Sequence, residues 1–149
     1  MSEKLRAAIY TRVSSLKKEK GYSIEVQLDV CKDYCSYKDF QVLGVYSDPG
    51  ISGAIQPIKR PDMNRLINDV MNDKYDIIVF YALDRLSRDN FYTLEFVKLM
   101  HDKYNVQVAF CRDNIDSNTY QGKFKLGIIS SIAELELNVI RERLAMGKQ

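Results

Sequence analysis

The sequence predicts an α/β domain: a mostly parallel central β-sheet flanked by helices, closed by one long C-terminal helix. Short apolar, β-branched runs alternate with stretches of helical periodicity, the pattern of strands joined by helical crossovers. Gly- and Pro-containing polar clusters separate them. The stretch from Gln121 to Ala145 then runs without a proline and keeps its apolar residues at helical spacing.

Taken in order, Leu5–Val13 (LRAAIYTRV) reads as a buried strand. Ser15–Tyr22 is polar, carries four charges and reads as a surface loop. Ser23 suits a helix N-cap with Glu25 in the first turn, and Ile24, Leu28, Cys31 and Cys35 follow at helical spacing. Phe40–Tyr46 reads as a second strand and Ser47–Pro61 as a long loop. Pro61 suits a first helical turn, and Met63, Leu66, Ile67, Val70 and Met71 make a helical stripe. Tyr75–Leu83 (YDIIVFYAL) is the most apolar run, predicted central in the sheet, and Asp84–Asp89 follows its carboxyl end. Asn90–Tyr104 reads as a helix with Leu94, Val97 and Met100 inward, and Val106–Phe110 as a fourth strand.

In the last helix, Ile128, Ile132, Leu135 and Val139 form one apolar stripe, and Ile129, Ala133, Ile140 and Leu144 an adjacent one. A helix of about 25 residues is ~37 Å long, more than a domain of this size needs to cover its own sheet. The expectation is that this helix packs partly on its own domain and partly against another subunit, with Ile128, Ile132, Leu135 and Val139 at the subunit interface.

Composition narrows the function classes. The chain has 149 residues, enough for one domain with a real core, and 22 Lys and Arg against 20 Asp and Glu, a net charge of only +2. A protein that merely coats nucleic acid is more basic, so any positive charge used on DNA must be concentrated at a site. Three cysteines (Cys31, Cys35, Cys111) and a single histidine, His101, give no metal-ligand spacing and point to reduced thiols. Cys31 and Cys35 are expected to pack a helix face, and His101 to lie on the surface near a helix end. No targeting peptide is visible in Met1–Arg6, and no apolar run reaches the roughly 20 residues of a membrane span, so no membrane role and a cytoplasmic location are expected.

Three clusters could carry chemistry. In Tyr10-Thr11-Arg12-Val13-Ser14, strand alternation puts Tyr10, Arg12 and Ser14 on one face and Thr11 and Ser15 on the other. Tyr10 is expected either to contact a phosphate or to pack. In Asp84-Arg85-Leu86-Ser87-Arg88, a helical turn would put Arg85 and Arg88 on a common face. The third cluster is Asp48-Pro49-Gly50-Ile51-Ser52-Gly53, followed by Arg60-Pro61. In a parallel sheet all three reach the carboxyl edge, where sites form. One serine would then sit among up to four arginines: Arg12, Arg60, Arg85 and Arg88. Phosphoryl transfer needs a placed nucleophile and positive charge over the phosphate oxygens, and guanidinium groups can supply that charge without a metal.

With those residues in view, the sequence resembles the serine recombinases, the resolvase–invertase superfamily, along nearly its whole length and in order. YTRVS is similar to the nucleophile motif, which implies that Ser14 attacks a DNA phosphodiester to give a 5′-phosphoserine link, with Arg12 on the phosphate. Ser23-Ile24-Glu25-Val26-Gln27 resembles a Ser-aliphatic-x-x-Gln segment and implies a site role for Gln27. Asp48 with Gly50-Ile51-Ser52-Gly53, and Arg60-Pro61, resemble the loop after the second strand and the opening of the next helix. They imply that Tyr10, Gln27, Asp48, Ser52 and Arg60 support the site. DRLSR at Asp84–Arg88 matches almost letter for letter, implying that Asp84 positions groups or moves a proton while Arg85 and Arg88 grip the scissile phosphate. Ala133–Glu136 with Ile140–Arg143 resembles the long helix that pairs subunits.

The resemblance implies site-specific recombination without metal, ATP or other cofactor, as in mobile-element or phage integration and excision. The partners it implies are duplex recombination sites, a second copy on DNA, a tetramer in synapsis and, as a further candidate, a directionality factor. It also implies a bacterial, phage or mobile-element source. Residues 1–149 then form the catalytic domain, with the specific DNA-binding region expected in a carboxyl-terminal part beyond them. The segment between Ser14 and Ser23 is longer than in compact resolvases, and Leu137 stands where Arg or Gln is often found. The long loop and GISG resemble the large serine integrases and transposases. Two alternatives stay open. One is a metal-dependent nuclease using Asp48, Asp84 and Asp113 or Asp116. The other is a receiver-like signalling module, which would need carboxylates after the first strand where this chain has Arg12 and Ser14.

Overall fold

The computed structural model describes residues 4–14 and 23–147. The predicted loop 15–22, including the rival hydroxyl of Ser15, lies outside the described residues. A five-stranded sheet has the order β2-β1-β3-β4-β5. It is formed by β1 (Arg6–Val13), β2 (Gln41–Pro49), β3 (Ile77–Phe80), β4 (Gln107–Phe110) and β5 (Ile115–Asp116). The first four strands run parallel, and β5 returns antiparallel to β4. The helices are α1 (Ile24–Lys38), α2 (Pro61–Met71), α3 (Leu83–Leu86), α4 (Asn90–Tyr104) and α5 (Tyr120–Met146).

Strand alternation divides the core in two. Ala8, Tyr10, Ile78, Phe80, Val108 and Phe110 face α2 and α4. Ala7, Ile9, Ile77, Val79 and Ala109 face α1 and its Cys31 and Cys35, so these two cysteines pack as expected. Every residue of β3 is buried, as the central strand should be; each such side chain contributes roughly 1.5–3 kcal/mol on burial. The helix ends follow local chemistry. The Ser23 hydroxyl accepts the Val26 N–H at 3.2 Å, and Asp39 and Asn105 take left-handed backbone where α1 and α4 stop. His101 is exposed in the last turn of α4.

Several boundaries differ from expectation. β2 runs on to Pro49 because it keeps pairing with β1 as far as Val13. β3 is shorter than its apolar run, since Tyr81 and Ala82 leave the ladder and Leu83 opens α3. Met71 is exposed, so the α2 stripe ends at Val70. The inward face of α4 is Thr93, Phe96 and Met100, with Leu94 and Val97 half-buried beside it. The two-residue β5 was not foreseen; it is too short to carry periodicity. The DRLSR turn is helical only to Leu86, and Ser87 is already extended, so helical spacing does not place Arg88.

The long helix is present, two residues longer than expected. Leu126 and Ile129 pack on the core, but every residue from 134 to 147 is exposed. Ile128, Ile132, Leu135 and Val139 all lie on exposed surface. No helix among the described residues is long and apolar enough to cross a membrane.

Candidate active site

The site lies at the carboxyl edge of β1 and β3. Parallel pairing puts Arg12 opposite Asp48 and Tyr10 opposite Phe80, so the segments after Val13, Asp48 and Phe80 emerge side by side. Ser14 and Arg12 share a face, and Arg12 Nη1 donates to Ser14 Oγ at 2.9 Å. Arg88 Nη2 donates to the same oxygen at 3.2 Å. Hydrogen bonds donated by cations to one hydroxyl oxygen favour negative charge on it, which activates a nucleophile.

Arg12 is almost wholly buried. Its guanidinium is held by neutral oxygens: Nε donates to the Arg85 carbonyl (3.1 Å), Nη1 to that of Ile51 (2.8 Å) and Nη2 to that of Asp84. Among the described residues no carboxylate forms an ion pair with Arg12 or Arg88. Burial pushes the Arg12 guanidinium down to about 10, helped by repulsion from Arg60, Arg85 and Arg88. A buried cation without an acidic partner is costly, and an anion arriving beside it relieves that cost. The edge is therefore built to receive negative charge next to Ser14.

The supporting residues fall into place around this pair. Gln27, one turn into α1, clamps the Arg12 backbone: its Nε2 donates to Arg12 O at 3.0 Å and its Oε1 accepts Arg12 N–H at 3.3 Å. Arg85 Nη1 donates to the same carbonyl at 3.3 Å. Gly53 packs so closely that a Cβ there would lie 2.7 Å from Arg88 Cγ and 2.8 Å from Arg12 Nη2. Its carbonyl accepts the Arg88 N–H at 3.1 Å, and this tertiary contact, not a helical face, places Arg88. Ser52 turns its own loop, accepting the Ala54 N–H at 3.2 Å.

Other expected residues serve beneath the site. Tyr10 is fully buried and donates to Asp48 at 2.7 Å. Burial is the first cause that holds its hydroxyl protonated far above the ordinary range. Asp48 accepts the Asp62 and Met63 N–H groups at 2.9 and 3.0 Å, capping α2. Arg60 is fully buried too, donating to the carbonyls of Ile55 and Gly53 and not to Ser14. The four-arginine point thus resolves into Arg12 and Arg88 on Ser14, Arg85 behind Arg12, and Arg60 as an internal brace. Thr11, the other rival hydroxyl, bonds Ser47 Oγ at 2.7 Å on the opposite face.

Three acidic residues of the nuclease alternative are engaged with backbone N–H groups. Asp48 caps α2, Asp113 accepts the Leu83 N–H at 2.8 Å, and Asp116 accepts the Asn118 N–H at 2.9 Å. No group of three potential metal ligands occurs among the described residues. Sequence reasoning passed over Gly53 as a packing residue, and Arg112 entirely. Arg112 leaves β4 at the same sheet edge, so the carboxyl-edge rule was the available signal for it.

Fold and site together define the catalytic-domain architecture of a serine recombinase. The structure superposes on the N-terminal catalytic domain of TP901-1 integrase with a TM-score of 0.81, at 39% identity over 90% of this chain and 98% of that one. A resolvase family site-specific recombinase from Streptococcus pneumoniae gives a TM-score of 0.79 at 30% identity, covering 97% and 95%. The chain belongs to the family described as Resolvase, N terminal domain, whose model matches residues 7–149. Among relatives, Transposon Tn917 resolvase of Enterococcus faecalis is 31% identical over 140 residues, 93% of this chain. A putative DNA recombinase of Bacillus subtilis is 32% identical over 150 residues, 95% of this chain. The chain spans 66% of the first relative's length and 27% of the second's.

Proposed function

We propose that this chain is the catalytic domain of a site-specific DNA recombinase in which Ser14 is the nucleophile. The observation that carries the reading is the convergence of Arg12 and Arg88 on Ser14 Oγ, with no acidic partner for either among the described residues. Ser14 Oγ attacks the scissile phosphorus. The Oγ–P bond forms as the Ser14 hydroxyl gives up its proton, the P–O3′ bond breaks, and the departing 3′ oxygen takes up a proton in exchange, leaving a 5′-phosphoserine link and a free 3′-hydroxyl. Attack by a 3′-hydroxyl after strand exchange reverses the step. The ester conserves the phosphodiester's energy, so ATP is not required, and guanidinium charge over the phosphate oxygens serves where other enzymes use a metal. Arg85 and Arg88 reach the phosphate, Arg12 orients Ser14, and Asp84 positions Arg85 or moves the proton. Tyr10, Gln27, Asp48, Ser52 and Arg60 hold this frame.

The substrate in this reading is duplex DNA at recombination sites, as in mobile-element or phage integration and excision, in a bacterial or phage-infected cytoplasm. The exposed apolar residues along α5 favour a second copy of the chain as its partner, giving a dimer on DNA and a tetramer in synapsis. A directionality factor would act on the assembled complex. Specific DNA contacts belong to a carboxyl-terminal region of the full-length protein, consistent with relatives longer than this chain.

The test is covalent trapping. Full-length protein, intact and as Ser14→Ala, is incubated in chelator with a duplex selected from a random-sequence pool by the protein's own binding, then denatured. A protein–DNA adduct that requires Ser14 is expected. Cut ends that need added metal and carry no protein would sink the reading and return attention to the carboxylates.

A further inference from the structure

The catalytic turn is a four-residue helix, α3, with no side-chain cap of its own at Ala82. One turn of helix does not hold its shape unaided. Yet its geometry matters, because the carbonyls of Asp84 and Arg85 accept from the Arg12 guanidinium that touches Ser14. Its support comes from the loop leaving β4. Asp113 accepts the Leu83 N–H at 2.8 Å, satisfying the first donor of α3. Arg112 Nη2 lies 3.5 Å from Asp84 Oδ2, while Asp84 Oδ1 lies 3.5 Å from Arg85 Nε. Asp84 Oδ1 is buried and makes no hydrogen bond among the described residues, so the two ion pairs, with Arg85 and with Arg112, are the contacts that hold this carboxylate.

Arg112 is itself fixed: its backbone N–H donates to the Tyr81 carbonyl at 2.8 Å and its guanidinium lies 5.7 Å from the Tyr81 ring centroid. Lys125 of α5 anchors the loop, its Nζ donating to the carbonyls of Asp113 (3.4 Å) and Asn114 (3.0 Å).

We infer that Arg112 is a positioning residue for strand cleavage: it shares the Asp84 carboxylate with Arg85, while Asp113 caps the turn that carries both. The inference rests on the reading of Ser14 given above. One carboxylate between two guanidiniums is pulled from both sides. Without Arg112 its whole charge bears on Arg85 and draws that side chain away from an incoming phosphate. Arg112 acts on the rate through Asp84 and needs no contact with DNA.

The experiment measures single-turnover adduct formation at saturating selected duplex, DNA affinity and thermal unfolding for full-length protein, Arg112→Gln and Arg112→Lys. Arg112→Gln is expected to slow adduct formation about tenfold, the scale of a neighbour coupling. Affinity should stay within about twofold and the unfolding transition should not move. Arg112→Lys, which keeps the charge, should recover most of the rate. An unchanged rate in Arg112→Gln overturns the inference. So does an equal fall in rate and affinity, which would make Arg112 a DNA contact, or a lowered unfolding transition that Arg112→Lys does not repair. An adduct that depends on Ser14 but ignores Arg112 overturns this inference alone. No Ser14-dependent adduct in the unaltered protein overturns the reading of the site and this inference with it.

Discussion

At the scale of single residues, the site depends on how closely uncharged groups let the arginines approach. Gly53 is the sharpest case, with the space for its missing Cβ taken up by Arg88 and the buried Arg12. Gly53→Ala is expected to lower adduct formation by about tenfold or more, because removing one oriented donor from a reacting oxygen costs about 100-fold to 1,000-fold and this change displaces two partly. Its unfolding transition should fall as well, since Arg88 is exposed and can swing away but the buried Arg12 guanidinium cannot. A rate equal to wild type would show that the arginines do not need their observed positions. That Ser14 and Arg12 share a face was legible in the sequence, because strand alternation sets it; the carboxyl-edge rule brings the DRLSR segment to the same edge but does not bring Arg88 to Ser14. Gly53 was not legible, because a glycine's packing role is set by neighbours 35 and 41 positions away in the chain.

At the scale of elements, two glycines of α5 separate helix propensity from packing. At Gly122 a Cβ would lie 1.8 Å from the Asp116 carbonyl oxygen, so Gly122→Ala must push α5 off β5. It should cost about 1–3 kcal/mol in denaturant unfolding. A Cβ at Gly127 meets nothing within 4 Å, so Gly127→Ala should stabilise by roughly 0.5–1 kcal/mol through propensity alone. The same sign for both would refute the packing assigned to the start of α5. The starts of β1 and β3 are tied by Arg6, whose Nε and Nη2 reach the Asp76 carboxylate at 3.1 and 3.0 Å. Those side-chain hydrogen bonds are the first cause holding the Asp76 carboxyl below its usual range. In the unfolded chain Asp76 takes up its proton at higher pH than in the fold. The pair's stabilisation is therefore present above pH ~4 and lost as pH falls through the lower folded value. Asp76→Asn should flatten the fall of stability with acid in that window, as followed by urea unfolding.

At the scale of the whole molecule, the projecting part of α5 is the least self-sufficient feature. Its exposed apolar residues, Ile128, Ile132, Leu135, Val139, Ile140 and Leu144 among them, run along a helix that has left its own core. On the proposed pairing of α5 with a second copy, charged substitutions at Ile132 and Val139 should break that pairing while sparing the fold, because both side chains are exposed. Sedimentation would show a smaller species with an unchanged unfolding transition; unchanged sedimentation would remove that face of α5 as an interface.

The sequence by itself determined the order of the four parallel strands and their crossover helices, the central place of β3, the presence of the long helix and the residue types around Ser14, all of which follow from local periodicity and motif spacing. Tertiary structure alone decided which arginines touch Ser14. Arg60 and Arg12 both carry a guanidinium, yet one is closed in by the carbonyls of Ile55 and Gly53 and the other is aimed at Ser14. Arg88 is placed by a hydrogen bond to a carbonyl from another loop, and α3 is held by residues that follow β4. These placements depend on contacts between segments distant in the chain. Periodicity reports which face a side chain leaves from, but not what it meets there.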